Sequence, residues 1–249
     1  MKIFHIAAIF IFSFSLIFSS TAQELIYLNK FKKPIYDTKK YEPQFYLIQE
    51  NGGERTLVEK VFTMEKVMVE ENIFSKDSLG NIIRALKKGY TEEGILEYIE
   101  QENINSAVKV RTEYFESGNI RSLTKTRNKE VFEETQYDEA GNQVPPTIFE
   151  SPMAWNGLEG WNGFLAKNLI YPIDARRSGF EGTVYIHFIV DEEGNIEEAE
   201  VINPEEVHEL LSREALRVVT KYPYKWTPGT KDGEPVRMSM RVPIRFKLG

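Results

Sequence analysis

The stretch TVYIHFIVDEEGNIEEAEVI, residues 183–202, leaves little freedom of fold. Val184, Ile186, Phe188 and Val190 alternate with Thr183, Tyr185, His187 and Ile189. That is the period-two pattern of a strand with one buried face. Asp191-Glu192-Glu193-Gly194-Asn195 follows, and Gly194 and Asn195 suit the positive φ of a hairpin turn. The return strand runs from Ile196 to Ile202, with Ala199 and Val201 facing a core and Glu198 and Glu200 facing water. An isolated hairpin is marginal in water, so its apolar face needs a cover.

The flanks supply one. Upstream, Leu158, Trp161, Phe164 or Leu165, and Leu169 share a helical face, although Gly160 and Gly163 weaken it and Pro172 ends it. Gly179 and Gly182 bracket a turn. Downstream, Asn203-Pro204 is expected to open a second helix, with Glu205 and Glu206 at its positive end and Arg213, Arg217 and Lys221 toward its negative end. Val207, Leu210, Leu211, Ala215, Val218 and Val219 give it an apolar stripe, and Pro223 closes it. Turns at Pro228-Gly229 and Asp232-Gly233 lead to a last strand, in which Met238, Met240, Val242, Ile244 and Phe246 alternate with Arg237, Ser239, Arg241, Pro243, Arg245 and Lys247. Pro243 cannot donate to a ladder, so this strand belongs at a sheet edge. The order helix, strand, strand, helix, strand predicts a small antiparallel sheet with two helices on one face, an α+β class.

Ahead of this unit, three stretches share a form: YTEEGIL from Tyr90, YFESGNI from Tyr114 and YDEAGNQ from Tyr137. Each places a glycine four residues after the tyrosine, at Gly94, Gly118 and Gly141, with spacings of 24 and 23 residues. FSKDSLGNI, from Phe74, reads as an earlier, weaker copy. Fixed periods suggest stacked units, here hairpins in a mostly β repeat domain. The units resemble MORN-like repeats. NQVPPTIFESPMAWNG, residues 142–157, holds three of the eleven prolines and reads as a linker.

At the start, Lys2 precedes the apolar run Ile3–Phe18, and Ser20 and Ala22 are small at the −3 and −1 positions of a cut before Gln23. This is the layout of a signal peptide. The run is 16 residues, roughly 24 Å as a helix against roughly 30 Å of bilayer hydrocarbon. If it is retained, it is an anchor in the inner membrane, and the membrane is a partner only then. The expected organisation is 1–22 signal peptide, 23–141 repeat domain, 142–157 linker and 158–249 the α+β unit, in the periplasm.

Net charge is −7, which argues against nucleic acid. The chain has no cysteine, so disulfides and thiolate chemistry are excluded. His187 and His208 lack a second ligand at metal spacing. Asp191, Glu192, Glu193, Glu197, Glu198, Glu200, Glu205 and Glu206 lack calcium-loop spacing and read as a solvated face. No nucleophile–base pair stands out, so neither an enzyme nor a cofactor is implied. Trp155, Trp161, Tyr222, Tyr224 and Trp226 fit core packing or a domain seam better than a recognition surface.

The run YPIDARRSGFEGTVYIHFIVDEEGNI, with Trp226, Pro228, Gly229, Gly233, Pro235, Val236, Pro243, Ile244 and Phe246, resembles the C-terminal domain of the TonB family of Gram-negative energy transducers. The resemblance implies a periplasmic module that binds the TonB box, a short peptide of an outer-membrane receptor. The peptide joins the edge of the last strand by β-augmentation. It carries the binding surface onto Arg237, Ser239, Arg241, Val242, Pro243, Ile244, Arg245, Phe246 and Lys247, with Tyr171 and Pro172 nearby. A peptide of an outer-membrane receptor or of another envelope protein is the expected partner, and the sheet edges leave room for a homodimer. The family's long Pro-rich spacer has no counterpart here, and a repeat domain stands in its place. The alternative is a membrane-anchored transducer, which needs residues 3–18 to stay uncleaved.

Overall fold

The computed structural model of the protein describes residues 25–248. The expected signal segment, 1–22, lies outside the described residues. These form an α+β structure: a ten-stranded N-terminal sheet, then two three-stranded sheets with three helices.

The N-terminal sheet is an antiparallel meander in strict chain order. Its strands are β1 (Leu25–Leu28), β2 (Phe45–Gly53), β3 (Thr56–Thr63), β4 (Met68–Lys76), β5 (Ile82–Tyr90), β6 (Leu96–Asn103), β7 (Val108–Tyr114), β8 (Ile120–Arg127), β9 (Glu130–Tyr137) and β10 (Gln143–Val144). The glycine turns share one geometry. In 77–81, 91–95, 115–119 and 138–142, the first N–H donates to the fifth carbonyl and the glycine N–H to the first. Gly80, Gly94, Gly118 and Gly141 take φ of 83–86°, a left-handed conformation that glycine reaches without penalty. Gly94, Gly118 and Gly141 close alternate hairpins and so sit at one end of the sheet. Gly80 closes β4 to β5 and sits at the opposite end. FSKDSLGNI thus has the repeat's turn but lies out of phase with the later three.

Little of this sheet is core. Leu28, Val61 and Val69 form its buried cluster, and in β6–β9 only Ser122 is buried. One face is held by polar ladders instead. Tyr98 lies flat on Gly89 of the neighbouring strand, where a Cβ would come within 2.1 Å of its ring. The Arg111 guanidinium stacks 3.7 Å above that ring and donates to Glu113 at 2.9 Å. Glu70 accepts from Asn72 at 2.9 Å and pairs with Lys32 and Lys87 at 3.0 and 3.1 Å.

Burial alone disfavours the Glu70 carboxylate, but Asn72, Lys87 and Lys32 together outweigh it and hold its pKa below the ordinary 4.5. Glu113 is lowered likewise: burial opposes its charge, and Arg121 and Arg111 prevail. A lowered folded-state pKa adds stability that is complete above the unfolded value and lost as pH falls through the folded one. Urea midpoints followed by far-UV circular dichroism should therefore hold from pH 7 to about 5 and fall below about 4. Glu70→Gln should cost about 1–3 kcal/mol at pH 7 and flatten that acid limb. An unchanged acid limb would remove Glu70 from the account.

The C-terminal unit matches the expected order, with additions. Helix α1 (Gly157–Asn168) and a short helix α2 (Ile173–Arg177) precede strands β12 (Gly182–Val190) and β13 (Ile196–Val201). Helix α3 (Glu209–Thr220) leads to the last strand, β16 (Met238–Phe246). The sheet order is β13-β12-β16. Between α3 and β16, β14 (Gly229–Lys231) and β15 (Glu234–Val236) make a hairpin, and β11 (Phe149–Glu150) pairs with β14. The stretch 142–157 thus joins both parts: β10 completes the first sheet, and Ala154 is buried in the C-terminal core. Gly160 does not merely weaken α1; a Cβ there would meet the Trp155 carbonyl at 2.1 Å.

The second helix begins later than Asn203-Pro204. Asn203 is buried, accepts from Tyr185 N–H at 3.0 Å and donates to Thr183 O at 3.1 Å, so it stays bound to β12. Pro204–Val207 form a turn, and His208 caps α3 by accepting from Leu210 N–H through Nδ1. Leu211, Ala215, Val218 and Val219 then face the sheet at helical spacing. Trp161, Tyr222 and Trp226 join them in the core, while Trp155 and Tyr224 stack on each other at the surface, 4.7 Å apart.

The acidic residues after β12 are not merely solvated. The β1–β2 loop docks on them. Lys30 pairs with Glu200 at 2.7 Å, Lys33 with Glu206 at 3.6 Å and Lys40 with Glu209 at 3.8 Å. Glu205 accepts from the backbone N–H groups of Tyr36 and Asp37, Asn29 donates to Ile202 O at 3.0 Å, and Phe31 packs on His187 with ring centroids 5.1 Å apart.

Candidate functional site

The three-stranded sheet has two outer strands, and they differ. β13 is broken by a bulge opposite His187–Ile189, where Glu198 takes a φ of 51°. Asn29 caps the end of this strand, and Arg237 ties Glu197 and Glu198 together. Bulges and covering groups are how proteins close a sheet edge. The N-terminal sheet's last long strand, β9, is also bulged, and β10 covers only Gln136 and Tyr137 of it. β16 is different. It pairs with β12 over nine residues without irregularity, and among the described residues no strand lies on its other side.

Backbone direction along β16 follows from Tyr185. Its N–H donates to Asn203 Oδ1 and its carbonyl accepts from Ile202 N–H at 2.9 Å, so both groups point toward β13. Pro243 faces Tyr185 across the β12–β16 pair. The pair is therefore of the non-hydrogen-bonded kind, and the Pro243 backbone points to the open edge. By alternation Ser239, Arg241 and Arg245 present N–H and carbonyl groups there too, and Met240, Val242, Ile244 and Phe246 bond to β12. Pro243 removes one donor from the open edge and none from the ladder.

The side chains sort the same way. Val242, Ile244 and Phe246 are buried and Met240 partly so, while Ser239, Arg241, Pro243, Arg245 and Lys247 are exposed. Of the residues assigned to the binding surface, Ser239, Arg241, Pro243 and Arg245 come together on the edge. Val242, Ile244 and Phe246 face inward and hold the strand. Arg237 lies before β16 and is turned to β13.

Tyr171 reaches the far end of β16, and Pro172, the next residue, caps α2. The Tyr171 ring meets Phe246 edge-on with centroids 5.5 Å apart, and its hydroxyl donates to Phe180 O at 2.6 Å. A buried carboxylate fixes this segment. Glu214 accepts from Ile170 N–H at 2.7 Å and from Arg217 at 2.6 Å, and Arg217 also donates to Asn168 O at 2.7 Å. Burial opposes the Glu214 charge, but Arg217 and the Ile170 amide outweigh it and lower its pKa. Sequence reading missed Glu214. Its one signal is an acid followed at once by Ala215 on the apolar stripe of a helix.

Among the described residues no helix is long and apolar enough to cross a membrane. The family model for the Gram-negative bacterial TonB protein C-terminal matches residues 167–248. Protein TonB of Vibrio cholerae serotype O1 (strain ATCC 39315 / El Tor Inaba N16961) is 36% identical over 78 residues, 31% of this chain and 31% of that protein. The match thus spans about a third of the length of that curated relative. No solved structure matches the chain. With the sheet order, the helices behind it and the open last strand, residues 167–248 are a TonB C-terminal domain, carried here on a chain with a ten-stranded antiparallel sheet.

Proposed function

We propose that the chain is a non-enzymatic protein of the periplasm, exported by a cleaved signal peptide, whose β16 edge receives an extended segment of an outer-membrane receptor or another envelope protein. One observation carries this reading: nine regular residues of edge strand, with outward backbone groups at Ser239, Arg241, Pro243 and Arg245, beside an opposite edge that is bulged and capped. Backbone pairing would give the affinity and neighbouring side chains the selectivity. The repeat sheet, in which the MORN-like reading remains our proposal, would hold the domain in place of a long spacer. Hydrogen exchange tests it. Peptides from the N-termini of candidate receptors should slow exchange at Ser239, Arg241 and Arg245. No protection with any of them, in a folded protein, would count against strand addition.

A second reading is a membrane-anchored transducer, favoured by the apolar run 3–18. The N-terminus of the protein isolated from cells separates the two. A chain starting at Gln23 in a soluble fraction supports the first reading, and a membrane-bound chain that keeps residues 3–18 supports the second.

A further inference from the structure

Resting on the strand-addition reading, we propose that the segment received at β16 carries carboxylates four residues apart and comes from another protein rather than from a copy of this chain. The observation is an imbalance of charge. The chain is acidic, net −7, and the cations nearest β16 in the helices and turns are paired. Arg237, just ahead of β16, holds two glutamates, and Arg213 and Arg217 each hold one. Arg241 and Arg245 are exposed and have no ion-pair partner among the described residues. Both lie on the face away from the core, beside the long, regular open edge of β16. In the cross-strand row of Arg241, Glu200 lies on β13 beyond His187 and is held by Lys30, and Arg245 faces Thr183.

Spacing sets the pattern. Arg241 and Arg245 are four residues apart, about 13 Å along a strand. Residues of an added strand that face them share their side of the sheet and are themselves four apart, whichever way the strand runs. Opposite charges so placed attract, and like charges directly opposite repel. A second β16 fits poorly. It would gather four guanidiniums on one face with no carboxylate among them, and each Pro243 would lack a donor. The arginines thus deter self-pairing and select an acidic guest.

The test uses the full chain and three synthetic octapeptides of one Thr/Val background. One has Glu at positions 2 and 6, one has Glu at 2 and 5 on opposite faces, and one has Gln at 2 and 6. Binding is read from the amide signals of Ser239, Arg241 and Arg245. At low salt the 2,6-Glu peptide should bind roughly fivefold to tenfold tighter than the Gln peptide, as two exposed ion pairs allow, and about twofold to fivefold tighter than the 2,5-Glu peptide, which keeps one pair. That advantage should shrink at about 0.5 M salt and vanish in the double variant Arg241→Gln, Arg245→Gln. Equal binding of all three peptides overturns the acidic preference and leaves strand addition standing. Failure of every peptide overturns both. Sedimentation velocity checks the remaining occupant: a monomer is expected, and a dimer with protected β16 amides would make a copy of the chain the guest.

Discussion

Arg241→Pro should sharply weaken capture of a partner strand and leave the C-terminal domain folded. The Arg241 N–H points to the open edge, so its loss breaks no bond to β12. Pro243 already occupies the equivalent place two residues on. Met240 is extended, as a residue before proline must be. The partner carbonyl that faces residue 241 loses its donor, a cost of about 1–3 kcal/mol, or roughly 5- to 150-fold in Kd. Arg241→Gln is the control: it keeps the N–H, changes only the charge, and should weaken binding far less. Val242→Pro is the contrast, because the Val242 N–H faces β12 and proline there should unfold the strand. Thermal midpoints and peptide titrations of the three variants decide. Full binding by Arg241→Pro would place the partner elsewhere. Equal instability of Arg241→Pro and Val242→Pro would mean that the backbone directions are reversed.

These contrasts show where sequence was enough. The alternation in 183–190 and 238–246 assigned inward and outward side chains correctly because a half-buried strand enforces period two. The glycine turns were legible because each needs a left-handed residue at one position. What failed depended on distant partners. Asn203-Pro204 has the composition of a helix start, but Asn203 is held by Tyr185 and Thr183, and the helix waits for His208. The acids from Glu200 to Glu209 look solvated until Lys30, Lys33 and Lys40 arrive from the other end of the chain. The cluster Lys30-Phe31-Lys32-Lys33 was the available hint, a basic knot with one aromatic in an acidic chain. At the site, Pro243 announced an edge, but which edge stays open rests on the bulge at Glu198, which no local pattern in β13 betrays.

Phe188→Ala should be the most damaging of the side-chain truncations discussed, costing about 3–5 kcal/mol. Phe188 is fully buried on the central strand β12, opposite Met240 of β16 and covered by α3. Its ring meets Trp226 edge-on with centroids 5.2 Å apart, and Trp226 meets Trp161 at 5.6 Å. The hole left by the ring cannot close readily. β12 is pinned by strands on both sides, and Trp226 is tied by its backbone N–H to the Gly194 carbonyl at 2.8 Å. For a domain of this size the loss lowers the unfolding midpoint by roughly 15–30 °C. Tyr185→Ala, on the outer face of the same strand, should cost far less, because that ring is already partly in water. The damage should also travel. The β1–β2 loop stands on Glu205 and His187, which the C-terminal core supports, so exchange at Tyr36 and Asp37 should quicken in Phe188→Ala. Calorimetry and amide exchange read the two effects separately. A cost under about 1 kcal/mol would mean that the core around β12 relaxes freely, and unchanged exchange at Tyr36 and Asp37 would mean that the loop does not depend on that core.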